Sequence, residues 1–229
     1  MRISATVGAL ALVAGAGIAG PAAAAEDGWY VVGFGGQAST QNVERTELDQ
    51  NLLDLFGSVG LDIVDATSNL DDSDTGFGLS VGYQANDNFA VELGYVDLGE
   101  ISYTATGTVT DGFADYATDF SLSQSAAGPV LSLLGIWPVS ERFSVFGRVG
   151  IALMSVDADA AISIDDISDA ASTSSDRSNA TYGVGAEFSF GNRFAVRFAY
   201  DRYAGVGSDD ITGDTDVDLA SIGLRYTFR

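Results

Sequence analysis

The sequence predicts an all-β fold, an eight-stranded antiparallel up-and-down transmembrane β-barrel, and three observations carry that prediction. Residues 219–228 (LASIGLRYTF) alternate strictly, with Ala220, Ile222, Leu224, Tyr226 and Phe228 on one face of an extended strand and Ser221, Gly223, Arg225 and Thr227 on the other. A strand of about ten residues, apolar outward and polar inward, is the unit of an outer-membrane barrel. Similar segments recur along the chain to a total of eight, and the connections between them alternate short and long.

The first element is a leader. Arg2 precedes an apolar stretch at residues 7–18, and Ala23-Ala24-Ala25 supplies a small-residue cleavage site before Glu26. The stretch is broken by glycine and too short to span a bilayer as a helix. Residues 1–25 therefore read as a secretory signal peptide and residues 26–229 as one barrel domain. The absence of cysteine excludes lipoprotein anchoring and disulfides. The formal charge is −22, from 32 acidic residues and 10 bases, all of them arginine. That balance argues against nucleic acid and anionic lipid as direct partners.

Residues 29–36 form the first strand, with Tyr30, Val32 and Phe34 on the expected lipid face and Gly33 and Gly35 inward. Residues 76–84 set Phe77, Leu79, Val81 and Tyr83 against Gly76, Gly78, Ser80, Gly82 and Gln84, and residues 89–95 set Phe89, Val91, Leu93 and Tyr95 against Glu92 and Gly94. Residues 130–137 are apolar on both faces, so their phase stays open. From residue 143 the inward set is Ser144, Phe146, Arg148, Gly150 and Ala152; from residue 181 it is Gly183, Gly185, Glu187 and Ser189; from residue 193 it includes Arg197. The strand at 219–228 closes the series.

Short turns fall at residues 85–88, 138–142 and 191–193; the connections at 40–74, 97–120, 155–178 and 204–218 are long and polar. The long ones, with the last counted from residue 201, hold 26 of the 32 acids, which predicts acidic extracellular loops, while Arg142, Arg193 and Arg229 mark the other rim. Trp29, Tyr83, Phe89, Trp137, Phe194, Tyr226 and Phe228 fall at short-turn ends, where an aromatic girdle belongs. A soluble lipocalin-like barrel turns its apolar face inward around a ligand. Here the opposite face is Gly, Ser, Ala and a few charges of both signs, a poor exterior for a soluble protein and a good filling for a narrow lumen.

Four segments, residues 82–99 (GYQANDNFAVELGYVDLG), 140–154 (SERFSVFGRVGIALM), 183–203 (GVGAEFSFGNRFAVRFAYDRY) and 219–228, resemble the strand–turn–strand cores of the OmpA family's transmembrane domain. The resemblance implies an inward cluster of Glu and Arg that plugs the lumen, here Glu92, Arg148, Glu187 and Arg197; the family's Lys on the fourth strand has no counterpart among Ser132, Leu133 and Leu134. It also implies a C-terminal signal for the barrel assembly machinery, carried by Gly223, Tyr226 and Phe228, although Arg229 follows the aromatic. With the chain stopping at its last strand, the peptidoglycan-binding function of full-length members is not carried over.

Catalysis is not expected. Hydrolases of this architecture depend on a histidine to activate a nucleophile, and the sequence has none. Glu92 and Glu187 form a carboxylate pair, but the arginines make it a structural ion network. No cofactor is expected beyond weak Ca²⁺ at the loops, with Asp71, Asp72, Asp165, Asp166, Asp214 and Asp216 as candidate ligands; a solvated charge coat is the competing reading. Thr46 caps an expected helix in which Leu48, Leu52, Leu55 and Phe56 recur at helical spacing up to Gly57, packed on neighbouring loops or presented for docking. The expected protein is a monomeric integral outer-membrane barrel with a structural and surface-interaction role, partnered by outer-membrane lipid and lipopolysaccharide. A narrow pore or small-molecule conduit is the alternative, since inward glycines leave space.

Overall fold

A strand in hydrocarbon must pair on both edges, because an unpaired peptide group has no water to bind there. The computed structural model, which describes residues 28–41, 43, 45–206 and 215–228, satisfies this by closing a ring. Its elements are β1 (Gly28–Thr40), α1 (Arg45–Ser58), β2 (Asp62–Asp71), β3 (Ser73–Asn86), β4 (Phe89–Thr110), β5 (Asp115–Pro138), β6 (Phe143–Ile164), β7 (Ile167–Phe190), β8 (Phe194–Tyr203) and β9 (Val217–Thr227). All pairings are antiparallel. β1 pairs with β3 on one side and β9 on the other, and the β4–β5 pairing completes an eight-stranded barrel of β1, β3, β4, β5, β6, β7, β8 and β9. β2 stands outside the ring, paired with the far end of β4. The expected leader, residues 1–25, and the candidate ligand Asp214 lie outside the described residues.

The outer wall is apolar between two limits. Leu79, Leu93, Leu131, Ile151, Val184 and Leu224 face outward and exposed. At the short-turn end, a chain of ring contacts links Phe190 to Phe194, Phe194 to Tyr226 (5.2 Å) and Tyr226 to Phe228 (5.1 Å), and Trp29 meets Tyr83 at 5.3 Å. This is the aromatic girdle. The turns there are tied by side chains: Asn86 Oδ1 accepts the N–H groups of Asn88 and Phe89, and Ser140 Oγ accepts that of Phe143. Gly191 adopts φ of 76°, left-handed backbone that favours glycine.

Two expectations are corrected. The first strand has the opposite phase: Tyr30 and Val32 are fully buried in the lumen, with Phe34 beside them, while Gly33 and Gly35 face outward. The reason is room. Tyr30 is paired with Gly82, and Phe34 lies between Gly78 and Gly223, so the bulky side of β1 meets the bare side of its neighbours. Second, the long connections at 97–120 and 155–178 are not loops. β4, β5, β6 and β7 run 22, 24, 22 and 24 residues, twice the roughly ten that cross a bilayer, and they stay paired to their tips.

Beyond the membrane band these four strands and β2 form an open sheet in the order β2-β4-β5-β6-β7. The alternation there inverts. In β6 the outward residues change from Val149, Ile151 and Leu153 to Ser155, Asp157 and Asp159, while the inward ones become Met154, Val156 and Ala158. In β4 a bulge between Asp97 and Glu100 resets the parity; Gly99 sits there at φ of 76°, and Asp74 Oδ2 accepts the Glu100 N–H at 3.0 Å. The inward apolar face is covered by α1, whose Leu52 and Phe56 are buried with Tyr103, Ala105 and Val109, and Leu48 packs against them. Thr46 lies inside α1, which runs through Gly57 to Ser58, and Leu55 is exposed. The open phase of residues 130–137 resolves with Ser132, Leu134 and Ile136 inward.

Candidate functional site in the lumen

Strand parity aims Glu92 from β4, Arg148 from β6, Glu187 from β7 and Arg197 from β8 into one layer of the lumen. Arg197 is its centre: Nη1 donates to Glu92 Oε1 at 2.6 Å and Nε to Glu187 Oε1 at 2.5 Å. Glu187 and Arg197 are direct cross-strand partners, so this pair is set by register. Arg148 Nη1 lies 3.6 Å from Glu92 Oε2, but its main partner is Asp201, gripped through two nitrogens. The four residues expected from the sequence are thus brought together.

Four more belong with them. Arg225 donates from Nη1 to Glu187 Oε2 at 2.9 Å and from Nη2 to Gln84 Oε1 at 2.6 Å, and its guanidinium lies over the Tyr30 ring, 3.9 Å from the centroid. Tyr30 donates its hydroxyl to Glu92 Oε1 at 2.8 Å. With Asp201 the layer balances three carboxylates against three guanidiniums, all at most slightly exposed; Asp201 itself is 0% exposed. The sequence signal for Arg225 and Asp201 was their parity: Arg225 alternates with Gly223, and Asp201 lies four residues beyond Arg197 on the same face. Asp201 had been grouped with the acids of the last long connection. Tyr30 was hidden by the reversed phase of β1.

The inward glycines serve this network and do not open a path. Arg148 on β6 reaches Asp201 on β8 across Gly183 of β7, and Tyr30 on β1 reaches Glu92 on β4 across Gly82 of β3. A β-carbon on Gly82 would stand 2.5 Å from Tyr30 Cε2, and one on Gly185 2.7 Å from Phe146 Cε1. Gly223 has the same need, 2.9 Å from Phe34 Cβ. Toward the long-hairpin end, Met154, Val156, Leu219, Val96 and Tyr203 fill the lumen with apolar side chains, so the interior there is greasier than polar alternation predicts.

The remaining expected residues are placed as follows. Tyr226 and Phe228 close the girdle, and the Phe228 N–H donates to Trp29 O at 2.8 Å across the seam between the first and last strands. The acidic candidates do not converge: among the described residues no group of three acids is placed to hold a metal. Asp71 and Asp72 are exposed at the end of β2, and Asp166 is exposed at the tip of the β6–β7 hairpin. Asp165, at φ of 48°, accepts the Ala117 N–H, and Asp216 accepts the Gly205 N–H and faces Arg202 at 3.7 Å. Outside the membrane band, Tyr103 donates to Asp49 at 2.6 Å and links β4 to α1. Burial and then this bond push the Tyr103 hydroxyl up to about 12. Asp49 is held below the ordinary carboxylate range, because the bonds from Tyr103 and Ser68 with Arg45 nearby outweigh the burial that opposes ionisation.

A closed eight-stranded barrel with an apolar wall, an aromatic girdle and a charge-plugged lumen defines an integral outer-membrane barrel protein. Residues 24–229 match the family model of the OmpA-like transmembrane domain, and the chain belongs to that family. It is 29% identical over 154 residues to outer membrane protein A of Yersinia pseudotuberculosis, an alignment spanning 67% of this chain and 40% of that protein. Among solved structures it is similar to the N-terminal β-barrel domain of Pseudomonas aeruginosa OprF (TM-score 0.48, 11% identity, 89% of this chain and 100% of that one). It is also similar to Neisserial surface protein A (TM-score 0.45, 14% identity, 90% and 99%).

Proposed function

We propose that the protein is a non-enzymatic structural and surface-interaction component of the outer membrane, a sealed barrel that holds a stiff acidic β-sheet outside the cell. One observation carries this reading. Side chains from seven of the eight ring strands meet in the layer around Arg197, so the lumen offers anchorage and no passage. The outward face of the sheet is lined with Ser, Thr and Asp, a surface suited to the sugars and cation-bridged phosphates of lipopolysaccharide. The paired seam of β1 and β9, with Gly223, Tyr226 and Phe228 on the last strand, is the part the barrel assembly machinery reads, and the unit works as a monomer. Absence of histidine from the sequence supports a role without acid–base catalysis. Single-channel recording in planar bilayers tests the reading: the wild-type protein adds no conductance steps, and sustained steps in salt would replace the sealed anchor by a conduit.

A further inference from the structure

The short-turn mouth of the barrel, periplasmic in this architecture, opens into a cavity of ≈ 220 Å³. Its floor is Arg225 with Glu187, its walls include Ser144 and Ser189, and Arg142 and Arg193 stand at its rim on two different turns. Three of the chain's ten arginines therefore line one small space in a protein of net charge −22. The acids there do not cancel them. Glu187 is already bound by Arg197 and Arg225, which leaves Glu141 against Arg142 and Arg193, and among the described residues neither rim arginine has an ion-pair partner. Arg225 is 7% exposed and is fixed in place by Glu187 and Gln84 through its two terminal nitrogens, so it sets a positive charge beneath the space. Two guanidiniums without ion-pair partners facing one small space are the natural complement of an oxyanion. Above the floor the ion network closes the lumen, so the space is a dead end. A water takes about 30 Å³ of liquid volume, so the cavity has room for one tetrahedral oxyanion with several waters.

We propose that this vestibule binds a phosphate-type oxyanion, clamped by Arg142 and Arg193 with Ser144 and Ser189 as hydroxyl donors and the Arg225 guanidinium beneath. The chemistry has two sources: free inorganic phosphate, or the phosphodiester of an inner-leaflet lipid headgroup leaning into the mouth. The test uses the folded full-length barrel in a sugar-headgroup detergent free of phosphate. Inorganic phosphate and, separately, glycerophosphoglycerol are titrated at constant ionic strength, and ³¹P linewidth is read. At least one ligand should broaden saturably with the wild type, at least fivefold more weakly with the R142Q/R193Q double variant, and unchanged with R45Q, which alters an arginine on α1. Tighter binding of the diester assigns the site to lipid, and tighter binding of inorganic phosphate assigns it to the free anion. Heat-modifiable migration on gels verifies that each variant is folded. No broadening by either ligand, or equal affinity in the double variant, would overturn the proposal.

Discussion

On the membrane side of Gly128, strand β5 shows Leu131, Leu133 and Trp137 to lipid and turns Ser132 inward; on the far side it turns Leu122 and Phe120 inward and shows Ser121 and Asp119 outward. One polypeptide strand, with one period of two, thus serves two solvents. The membrane half is a closed ring whose backbone is fully paired and whose interior is settled by charge. The far half is an open sheet whose interior is settled by apolar packing against a single helix. Closure makes the first half insensitive to water at its edges, and the second half depends on α1 staying in place.

The sharpest way to break the comparison is to remove the hub of the ring. Arg197→Ala leaves Glu92 and Glu187 buried with too few cations and should cost about 3–5 kcal/mol in urea unfolding of lipid-refolded protein. A cost below 1 kcal/mol would mean that the lumen is held by packing, as the sheet is. Next in size is Leu52→Ala on α1, expected to lower local stability by about 2–3 kcal/mol. Hydrogen exchange should accelerate in α1 and β2 while the amides of β8 and β9 stay protected; acceleration throughout would show the halves to be one cooperative unit. Gly183→Ala places a methyl between Arg148 and Asp201 and against the Tyr200 carbonyl, and should cost about 1–3 kcal/mol in the same urea unfolding; no loss there would show that the pair has slack around it.

The smallest effect is a titration confined to the outer half. Tyr103 ionises only near 12 in the folded protein and near 10 when unfolded, so its contribution is complete below about pH 10 and is lost as pH rises toward 12. Asp49 has the opposite sign: its depressed value contributes above about pH 4 and is lost as pH falls below it. Hydrogen exchange of α1 across this range should show a plateau between the two limits, flattened in Tyr103→Phe. An identical profile in that variant would remove the Tyr103–Asp49 link from the account.

The ring was legible from alternation alone because membrane strands wear their polarity on fixed faces. Seven strands were read in phase or left open; β1 was misread because both of its faces are small or apolar, and only its glycine partners on β3 and β9 decide which side has room for Tyr30 and Phe34. Within the lumen, Glu92, Arg148, Glu187 and Arg197 were legible as charges at inward parity. Asp201 was counted with the acids of the last long connection although it shares parity with Arg197 on the same strand. The same bias hid the outer sheet: Val156, Ala158, Ala160, Ile162 and Ile164 alternate as cleanly as the membrane segment before them, but the acids between them suggest loop. The inversion of polarity at Leu153 and Met154 is the signal that a strand continues into water.

The lengths of β4 to β7 translate into height. With about ten residues per strand inside the bilayer and some twelve beyond it, at about 3.3 Å each and tilted by about 40°, the hairpin tips stand on the order of 30 Å above the lipid surface. The β4–β5 tip is itself braced, Asp111 Oδ1 accepting the N–H groups of Phe113 and Ala114 at 2.9 Å each. Phe113, 98% exposed, is thereby carried at the end of a mast rather than on a slack tether, and whatever it meets is met at a defined stand-off from the lipid surface.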